Sequence, residues 1–143
     1  MKNNPELEIQ IQIVNYLETL KLQNKVGYFT AFANETFTKS WKQKRKNKLS
    51  GVRSGTPDLL IGVYGTPYFV ELKTEVGTLQ KTQKNFLKYF NSNGISYSFI
   101  CTSLKEFKLL IDDLINQRES KDSEYLKANM KGSRLFKKYT QNQ

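Results

Sequence analysis

Two short segments of the sequence contain residue types that could hydrolyse a phosphate ester. Asp58 follows a Gly-Thr-Pro turn, and further along the chain Glu71 and Lys73 are separated by a single leucine. Two carboxylates can hold a Mg²⁺ ion, which lowers the pKa of bound water and acts as a Lewis acid towards phosphoryl oxygens. A neighbouring lysine could orient the attacking water or help to deprotonate it. These three residues predict a metal-dependent hydrolytic centre, provided that the fold brings them together.

The residues between the two segments predict a β-hairpin. Residues 58–64 and 68–73 are apolar runs typical of strands, and Gly65-Thr66-Pro67 separates them. Because proline has no N–H to donate, we expect a four-residue loop rather than a tight turn. Val63 would then pair with Tyr68 across that loop.

This register would place the three chemical residues on one face of the hairpin. Side chains alternate between the two faces of a strand, so Asp58, Glu71 and Lys73 should point to the same side. Asp58 would face Lys73 and would be the diagonal neighbour of Glu71, with Cα atoms roughly 7–8 Å apart. Both carboxylates could then bind one Mg²⁺ ion, or Mn²⁺ as a substitute. The carbonyl oxygen of Leu72 is a further candidate ligand, because Mg²⁺ prefers oxygen.

A less specific interpretation is open for each piece of this pattern. Pro-Asp and Glu-x-Lys arise often by chance, and Glu71 with Lys73 could be an ordinary solvated pair on a strand. The matching phase of the two strands and the charge of the chain favour the chemical interpretation.

The composition limits the partners and the chemistry. The chain has 23 Lys and Arg against 13 Asp and Glu, a net charge of +10, which favours binding to a polyanion such as nucleic acid. An acidic membrane surface is the weaker alternative, since no basic helix has a clean, bulky apolar face. The absence of histidine excludes Ser-His-Asp and Cys-His catalysis, and with one cysteine it makes a structural zinc site implausible.

The sequence also indicates an intracellular protein that does not span a membrane. No apolar run approaches the roughly 20 residues that a membrane span needs, and the N-terminus lacks a secretory signal. A single cysteine suits a reducing compartment. We expect the cytoplasm or nucleoid of a host cell, and a viral or mobile-element gene would also fit.

The remaining patterns predict an α/β domain over residues 1–118, followed by a basic C-terminal tail over 119–143. Its core order is α-β-β-β-α-β, with a mixed sheet flanked by helices. The predicted elements outside the hairpin are a helix starting at Pro5 after the N-cap Asn4, a strand over 26–33, a basic segment over 39–53, a helix capped by Thr78, a strand over 95–102 and a helix over 104–117.

The basic segment leads directly into Asp58, so we expect it to bind the DNA backbone. Such contacts fix the position of DNA without reading its sequence. Trp41 and Phe37 could stack on unpaired bases, although packing of Trp41 into the core is equally compatible with the sequence. The residues expected to contact DNA are Lys39, Lys42, Lys44, Arg45, Lys46, Lys48, Arg53 and Ser54.

The combined pattern resembles a known nuclease family. The segments 51–61 (GVRSGTPDLLI), 68–73 (YFVELK) and 77–79 (GTL), with Gln83, are similar to the core of the VRR-NUC family, which belongs to the PD-(D/E)xK nuclease superfamily. The resemblance runs from the first helix to about Thr102. It implies a restriction-endonuclease-like fold and metal-dependent DNA cleavage that is often structure-selective. Its stand-alone members suggest a homodimer that resolves Holliday junctions in DNA repair or recombination.

The resemblance adds two supporting residues to the site. It implies that Glu6 on the first helix supports the metal, and helical spacing agrees, because Glu6 shares a face with the apolar Ile9 and Ile13. Glu8 is the alternative, and a role of Glu6 that is limited to complementing the helix dipole is also open. The resemblance likewise implies that Gln83 supports the active site, although a glutamine at the edge of an apolar stripe could simply bind backbone.

The sequence therefore leads to a main hypothesis with two kinds of alternative. The main hypothesis is a Mg²⁺- or Mn²⁺-dependent endonuclease that acts on branched or otherwise structured DNA. An exonuclease, or a sequence-specific restriction-like or homing-like nuclease, would use the same residues. A non-catalytic basic DNA-binding protein is the alternative of another class. Three departures from the family pattern, Ala33, Thr56 and Gln80-Lys81, affect the expected substrate preference but no metal ligand.

Overall fold

The computed structural model describes residues 4–32, 40–92 and 94–129, with the backbone alone described over 121–129. The strands form one sheet in the order β1-β2-β3-β4, in which β1–β2 and β2–β3 are antiparallel and β3–β4 is parallel. This is the mixed α/β sheet with flanking helices that the sequence predicted. The elements are α1 (Pro5–Leu22), β1 (Tyr28–Ala31), α2 (Trp41–Leu49), β2 (Leu59–Val63), β3 (Thr66–Leu72), α3 (Lys81–Phe90), β4 (Ser98–Cys101) and α4 (Leu104–Asn129).

The hydrophobic core lies between the sheet and the helices α1 and α4. Alternate residues of β2 are buried, as expected for a strand with one face on the core. Burial of each large apolar side chain contributes about 1.5–3 kcal/mol, so this layer fixes the sheet on which the chemical residues lie. The fully buried side chains of the core include Ile13, Leu17, Leu59, Ile61, Val63, Val70, Leu72, Phe107 and Ile111.

The other side of the sheet is covered by α3 through an aromatic cluster. The ring of Phe69 on β3 lies 5.2 Å from the ring of Phe86 and 4.9 Å from that of Phe90. Phe86 and Phe90 are one helical turn apart, so the two rings lie on the same face of α3. The cluster holds α3 against β3.

Helix α1 begins as the sequence predicts. The side chain of Asn4 accepts a hydrogen bond from the N–H of Leu7 at 3.2 Å, and Pro5 occupies the first helical position. Both residues are favoured there, because an N-cap oxygen satisfies a free N–H and a proline has no N–H to leave unsatisfied. The cap places Glu6 in the first turn.

The hairpin register differs from the predicted one by two residues. Val63 pairs with Thr66, not with Tyr68. The connection is therefore a two-residue turn, and its residues Tyr64 and Gly65 have φ angles of 46° and 77°. Two successive positive φ angles are the mark of a type I′ turn, which suits the twist of a hairpin.

The expectation of a wider loop was wrong because the nitrogen of Pro67 points towards the β4 side of β3, where no ladder hydrogen bond is formed at this position. The N–H of Phe69 donates to the carbonyl of Tyr97, so Phe69 faces β4, and Pro67, two residues earlier, faces the same side. The pairing with β4 begins only at Phe69, so Pro67 removes no ladder hydrogen bond. A shift of two residues keeps every paired side chain on its predicted face. The pairing begins with Leu59 and Val70, and the N–H of Asp58, one residue before β2, also donates to Val70, so Asp58 does not face Lys73 as predicted.

One helix was not predicted, and two others differ from their predicted extents. The basic segment contains α2, which is capped by Ser40 and rich in Lys, Gln and Arg, all good helix formers. Helix α3 has its N-cap at Gln80 rather than Thr78. Helix α4 continues past residue 117 to Asn129, so the predicted boundary at 118/119 falls inside a helix. Residues 130–143 of the predicted tail lie outside the described residues.

The turn before β2 packs tightly against α3. Gly55 has a φ of +84°, and a Cβ added there would lie 2.6 Å from the carbonyl carbon and oxygen of Thr82. The turn that leads into Asp58 thus requires glycine both for its conformation and for this close approach to the α3 backbone.

We expect Gly55→Ala to lower the free energy of unfolding by about 3 kcal/mol or more, because it combines a strained φ with a clash against backbone. Gly51→Ala is the matched control: its φ is +92°, but its Cβ would meet nothing within 4 Å. We expect that variant to lose only about 1 kcal/mol. Urea unfolding followed by circular dichroism measures both values, and equal losses would contradict the packing role of Gly55.

Candidate active site

Backbone hydrogen bonds fix Asp58 at the start of β2. Its N–H donates to the carbonyl of Val70 at 3.1 Å, and its carbonyl accepts from the N–H of Phe32 at 2.9 Å. Its side-chain Oδ2 accepts from the N–H of Leu72 at 2.7 Å. The N–H and C=O of one strand residue point to the same edge, so the carbonyl of Leu72, the candidate backbone ligand, lies on the Asp58 side of β3.

Glu71 is buried on β3, and a side chain of α3 holds its carboxylate in place. Its side chain is only 5% exposed. The amide Nε2 of Gln83 donates to Glu71 Oε1 at 2.7 Å, while Gln83 Oε1 accepts from the backbone N–H of Gln80 at 2.9 Å. The same glutamine therefore caps the first turn of α3 and orients Glu71. The sequence led to Gln83 but not to Gln80, which stands where the resembled family has Pro-Glu.

Lys73 lies between two acids from different elements. Its Nζ is 3.6 Å from Glu71 Oε1 and 3.9 Å from Glu6 Oε1. The N–H of Lys73 donates to the carbonyl of Cys101 at 3.1 Å, which anchors the residue to β4. Of the two glutamates considered on α1, Glu6 is thus the one that reaches the site, whereas Glu8 is exposed.

Burial and mutual repulsion disfavour the charged forms of both carboxylates. Burial raises the pKa of Glu71 to about 7, with the Asp58 carboxylate as the next cause and Lys73 opposing the rise. Burial likewise raises the pKa of Asp58, against the hydrogen bond from Leu72. Two like charges close together are destabilising, so a bound cation would reduce the repulsion between the carboxylates of Asp58 and Glu71.

The donor set suits a hard cation that keeps part of its water shell. Within residues 4–32, 40–92 and 94–120, no three or more acidic, cysteine or histidine side chains are grouped to hold a metal ion. Mg²⁺ is usually bound by one or two carboxylates and retains several waters, so Asp58 and Glu71 with a backbone carbonyl fit it. Glu6, predicted as a further ligand, contacts Lys73.

Comparisons with known proteins identify the family of this domain. Residues 4–103 match the family model described as the VRR-NUC domain. The chain belongs to the VRR-NUC family. A solved structure described as "VRR_NUC domain" is similar to it at 24% identity and a TM-score of 0.52, covering 80% of this chain and 97% of that chain. No curated protein matches the chain.

Membership confirms the resemblance found in the sequence. VRR-NUC domains belong to the PD-(D/E)xK nuclease superfamily, so membership implies a nuclease with DNA as its substrate. The similar solved structure supports the fold, a mixed sheet of four strands with flanking helices. Among the helices that the structure describes, none combines the length and the apolar character needed to cross a bilayer.

The basic residues predicted to bind DNA lie mainly on α2 of this VRR-NUC domain. Arg53 follows α2, and its guanidinium donates to the carbonyls of Lys48 and Val52, both at 3.2 Å. These bonds tie the end of α2 to the segment that enters Asp58. Lys39 lies outside the described residues. The exposed members of the predicted set are Lys42, Lys44, Arg45, Lys46, Lys48, Arg53 and Ser54.

A second basic surface was missed in the sequence. Lys81, Lys84 and Lys88 are exposed on α3, which has no acidic residue. Their spacing of three and four residues places them along one side of the helix. The apolar stripe of α3 predicted the helix itself. The signal that could have revealed the basic surface was the absence of acidic residues among the lysines of this helix. Because Gln83 of α3 contacts Glu71, this surface begins next to the candidate site.

The raised pKa of Glu71 predicts how the stability of the metal-free protein depends on pH. Below its ordinary pKa of 4.5, Glu71 is protonated in the folded and unfolded states alike. Above that value the unfolded chain loses the proton first, so the contribution to stability is lost as pH rises through about 7. We expect Glu71→Gln to remove a fall on the order of 1–2 kcal/mol between about pH 5 and pH 8.

The measurement is urea unfolding of wild type and Glu71→Gln in EDTA across that pH range. Groups outside the site contribute equally to both proteins, so the difference between the two curves reports the titration of Glu71 together with its interaction with Asp58. Two parallel curves would show that the folded protein does not hold the proton.

Proposed function

We propose that this VRR-NUC domain is a Mg²⁺-dependent DNA endonuclease, with Mn²⁺ as a substitute metal. Asp58 and Glu71 would hold the ion, with the carbonyl of Leu72 as a third ligand and Glu6 at the periphery. The observation that supports this is a pair of neighbouring carboxylates, of which Asp58 is half-buried and Glu71 is buried. The pKa of each is raised, and a separate hydrogen bond holds each in place.

Each residue of the site has a defined task in this proposal. The bound ion would supply Lewis acidity towards the phosphoryl oxygens and the attacking water. Lys73, whose ammonium group lies beside Glu71, would orient that water and offset the charge of the phosphate. Glu6 would position the Lys73 ammonium group. Gln83 would keep Glu71 turned towards the ion.

The DNA backbone would lie along the two basic helices. Helix α2 has five Lys or Arg residues and α3 has three lysines, and neither helix has an acid. Both connect directly to the site, α2 through the turn at Gly55 and α3 through Gln83. Contacts from these side chains to phosphate would hold the scissile bond at the carboxylates without reading the bases.

We further propose selectivity for branched DNA, with a four-way junction as the preferred substrate. The resemblance to junction-resolving VRR-NUC proteins supports this, and it suggests a role in DNA repair or recombination. Resolution requires two symmetric cuts, so the active form would be a two-fold homodimer.

The catalytic roles predict that Asp58→Asn and Glu71→Gln slow DNA cleavage by roughly 1000-fold or more, since both variants keep the shape of the side chain but lose the charge that holds the ion. Binding to the same DNA in EDTA should change less than about threefold, because phosphate contacts dominate affinity. Gel-based cleavage and fluorescence anisotropy measure the two effects. Glu8→Gln, an exposed acid on α1, is the matched control and should cleave like wild type.

Two results would count against this assignment. Cleavage by wild type in EDTA would exclude the metal mechanism. A loss of binding as large as the loss of cleavage in the two variants would instead indicate that these acids maintain the fold.

The selectivity predicts the products from a panel of DNA substrates incubated with Mg²⁺ or Mn²⁺. On a four-way junction we expect paired nicks at symmetric positions, and on a linear duplex at least about tenfold slower cleavage, a difference of 1.4 kcal/mol in barrier. Flaps, splayed arms and single strands complete the panel. Progressive shortening from the ends would indicate an exonuclease, and cleavage of linear duplex at one sequence a restriction-like enzyme. No cleavage of any substrate would leave a DNA-binding protein.

A further inference from the structure

Helix α2 presents an uncovered aromatic side chain. Trp41 is 83% exposed and Leu49 is 77% exposed, and α2 has no buried residue. A tryptophan normally buries 150–250 Å², roughly, when it packs into a core or an interface, so an exposed one is informative. The sequence left open whether Trp41 packs into the core, and this exposure excludes that alternative.

The exposed residues form one surface on a single side of the helix. We call it the α2 face. Its residues are one helical turn or two apart, which is the spacing of neighbours along a helix. Three cations thus surround an indole ring and a leucine. The α2 face consists of Trp41, Lys44, Arg45, Lys48 and Leu49, which line a shallow groove.

The charge of the α2 face indicates the occupant. A second copy of the chain bound through a two-fold axis would bring two helices together, each with five cations and no acid, and their repulsion disfavours that pairing. A nucleic acid strand offers phosphates for the cations. Its bases can stack on an indole ring only where they are unpaired, because a duplex keeps its bases within its own stack.

We propose that the α2 face binds unpaired nucleotides of the DNA substrate, with a base stacked on Trp41 and phosphates on Lys44, Arg45 and Lys48. The inference rests on the proposed function for the identity of the nucleic acid. It deepens that function by giving a physical origin for selectivity among structured substrates: flaps and splayed arms, in which unpaired bases adjoin the duplex, gain a contact that linear duplex lacks. A four-way junction whose bases are all paired would use the phosphate contacts alone.

The connection between α2 and the catalytic carboxylates makes this contact relevant to cleavage. Arg53 hydrogen-bonds to the carbonyl of Lys48 in the last turn of α2, and residues 50–57 run from that turn to Asp58. At about 1.5 Å per residue, Trp41 lies roughly 12 Å along the helix axis from Leu49. A base on Trp41 would therefore lie at the opposite end of α2 from the residues that lead to Asp58.

The test uses the intrinsic fluorescence of the full chain, in which Trp41 is the single tryptophan. In EDTA, to prevent cleavage, we expect strong quenching on titration with a dT oligonucleotide or with a duplex that has a single-stranded arm. Blunt duplex and heparin, a polyanion without bases, should bind but leave the emission nearly unchanged. Equal emission changes with heparin and with the single strand would overturn the stacking contact.

A variant measures the energetic contribution. Trp41→Ala should weaken binding to the armed duplex by roughly tenfold, within the range known for base–aromatic stacking, and should change binding to blunt duplex less than about twofold. Trp41→Phe should retain part of the preference. The matched control is Tyr28→Ala, which removes an exposed aromatic ring at the far end of the sheet from Asp58. An unchanged ratio of the two affinities in Trp41→Ala would refute the proposal.

The outcomes separate this inference from the proposed nuclease function. Selective quenching without cleavage in Mg²⁺ would support the α2 face and remove the proposed function. Cleavage without selective quenching would do the reverse. A Trp41 emission that depends on protein concentration in the absence of DNA, with Trp41→Ala shifting the chain to monomer on gel filtration, would show that the face is an interface between copies and would overturn the proposal.

Discussion

The repulsion between two carboxylates on adjacent strands is the constraint on which the site depends. The Asp58 carboxylate, just before β2, repels that of Glu71 on β3, and burial denies both of them the water that would stabilise their charges. The protein holds them there with one hydrogen bond each, from the Leu72 amide and from Gln83, and with the neighbouring Lys73 ammonium group. In the proposed function, a bound cation would offset this repulsion.

Helix α3 helps to position both carboxylates. Gln83 reaches Glu71 from its first turn, and the backbone at Thr82 packs against Gly55 in the turn that leads into Asp58. The position of both acids therefore depends on how α3 sits on the sheet. The aromatic contacts of Phe69 with α3 set that position, although they lie outside the chemistry.

The sequence predicted the face of each chemical residue better than their pairing. A strand alternates with a period of two, so a register error of two residues left the face of Glu71 unchanged, but the predicted pairing of β2 with β3 was wrong. That error came from Pro67, whose tolerance depends on where β4 begins, a long-range fact. Helical spacing favoured Glu6 over Glu8, and the structure places Glu6 beside Lys73 while Glu8 is exposed. Helix α2 was missed because hydrophobic periodicity detects only helices that bury a stripe. The base contact proposed for Trp41 depends on the exposure of its ring, which the spacing of residues does not reveal.

The uneven distribution of charge among the helices has a consequence for how the molecule meets its substrate. The cations of α2 and α3 are unopposed, whereas α1 has three acids and one lysine. Such a separation gives the described part of the chain an uneven surface charge, and the field of a long polyanion would favour an approach with the basic helices first. Encounters would begin with the basic side already turned inwards, and this advantage would fade as the Debye length shrinks in salt.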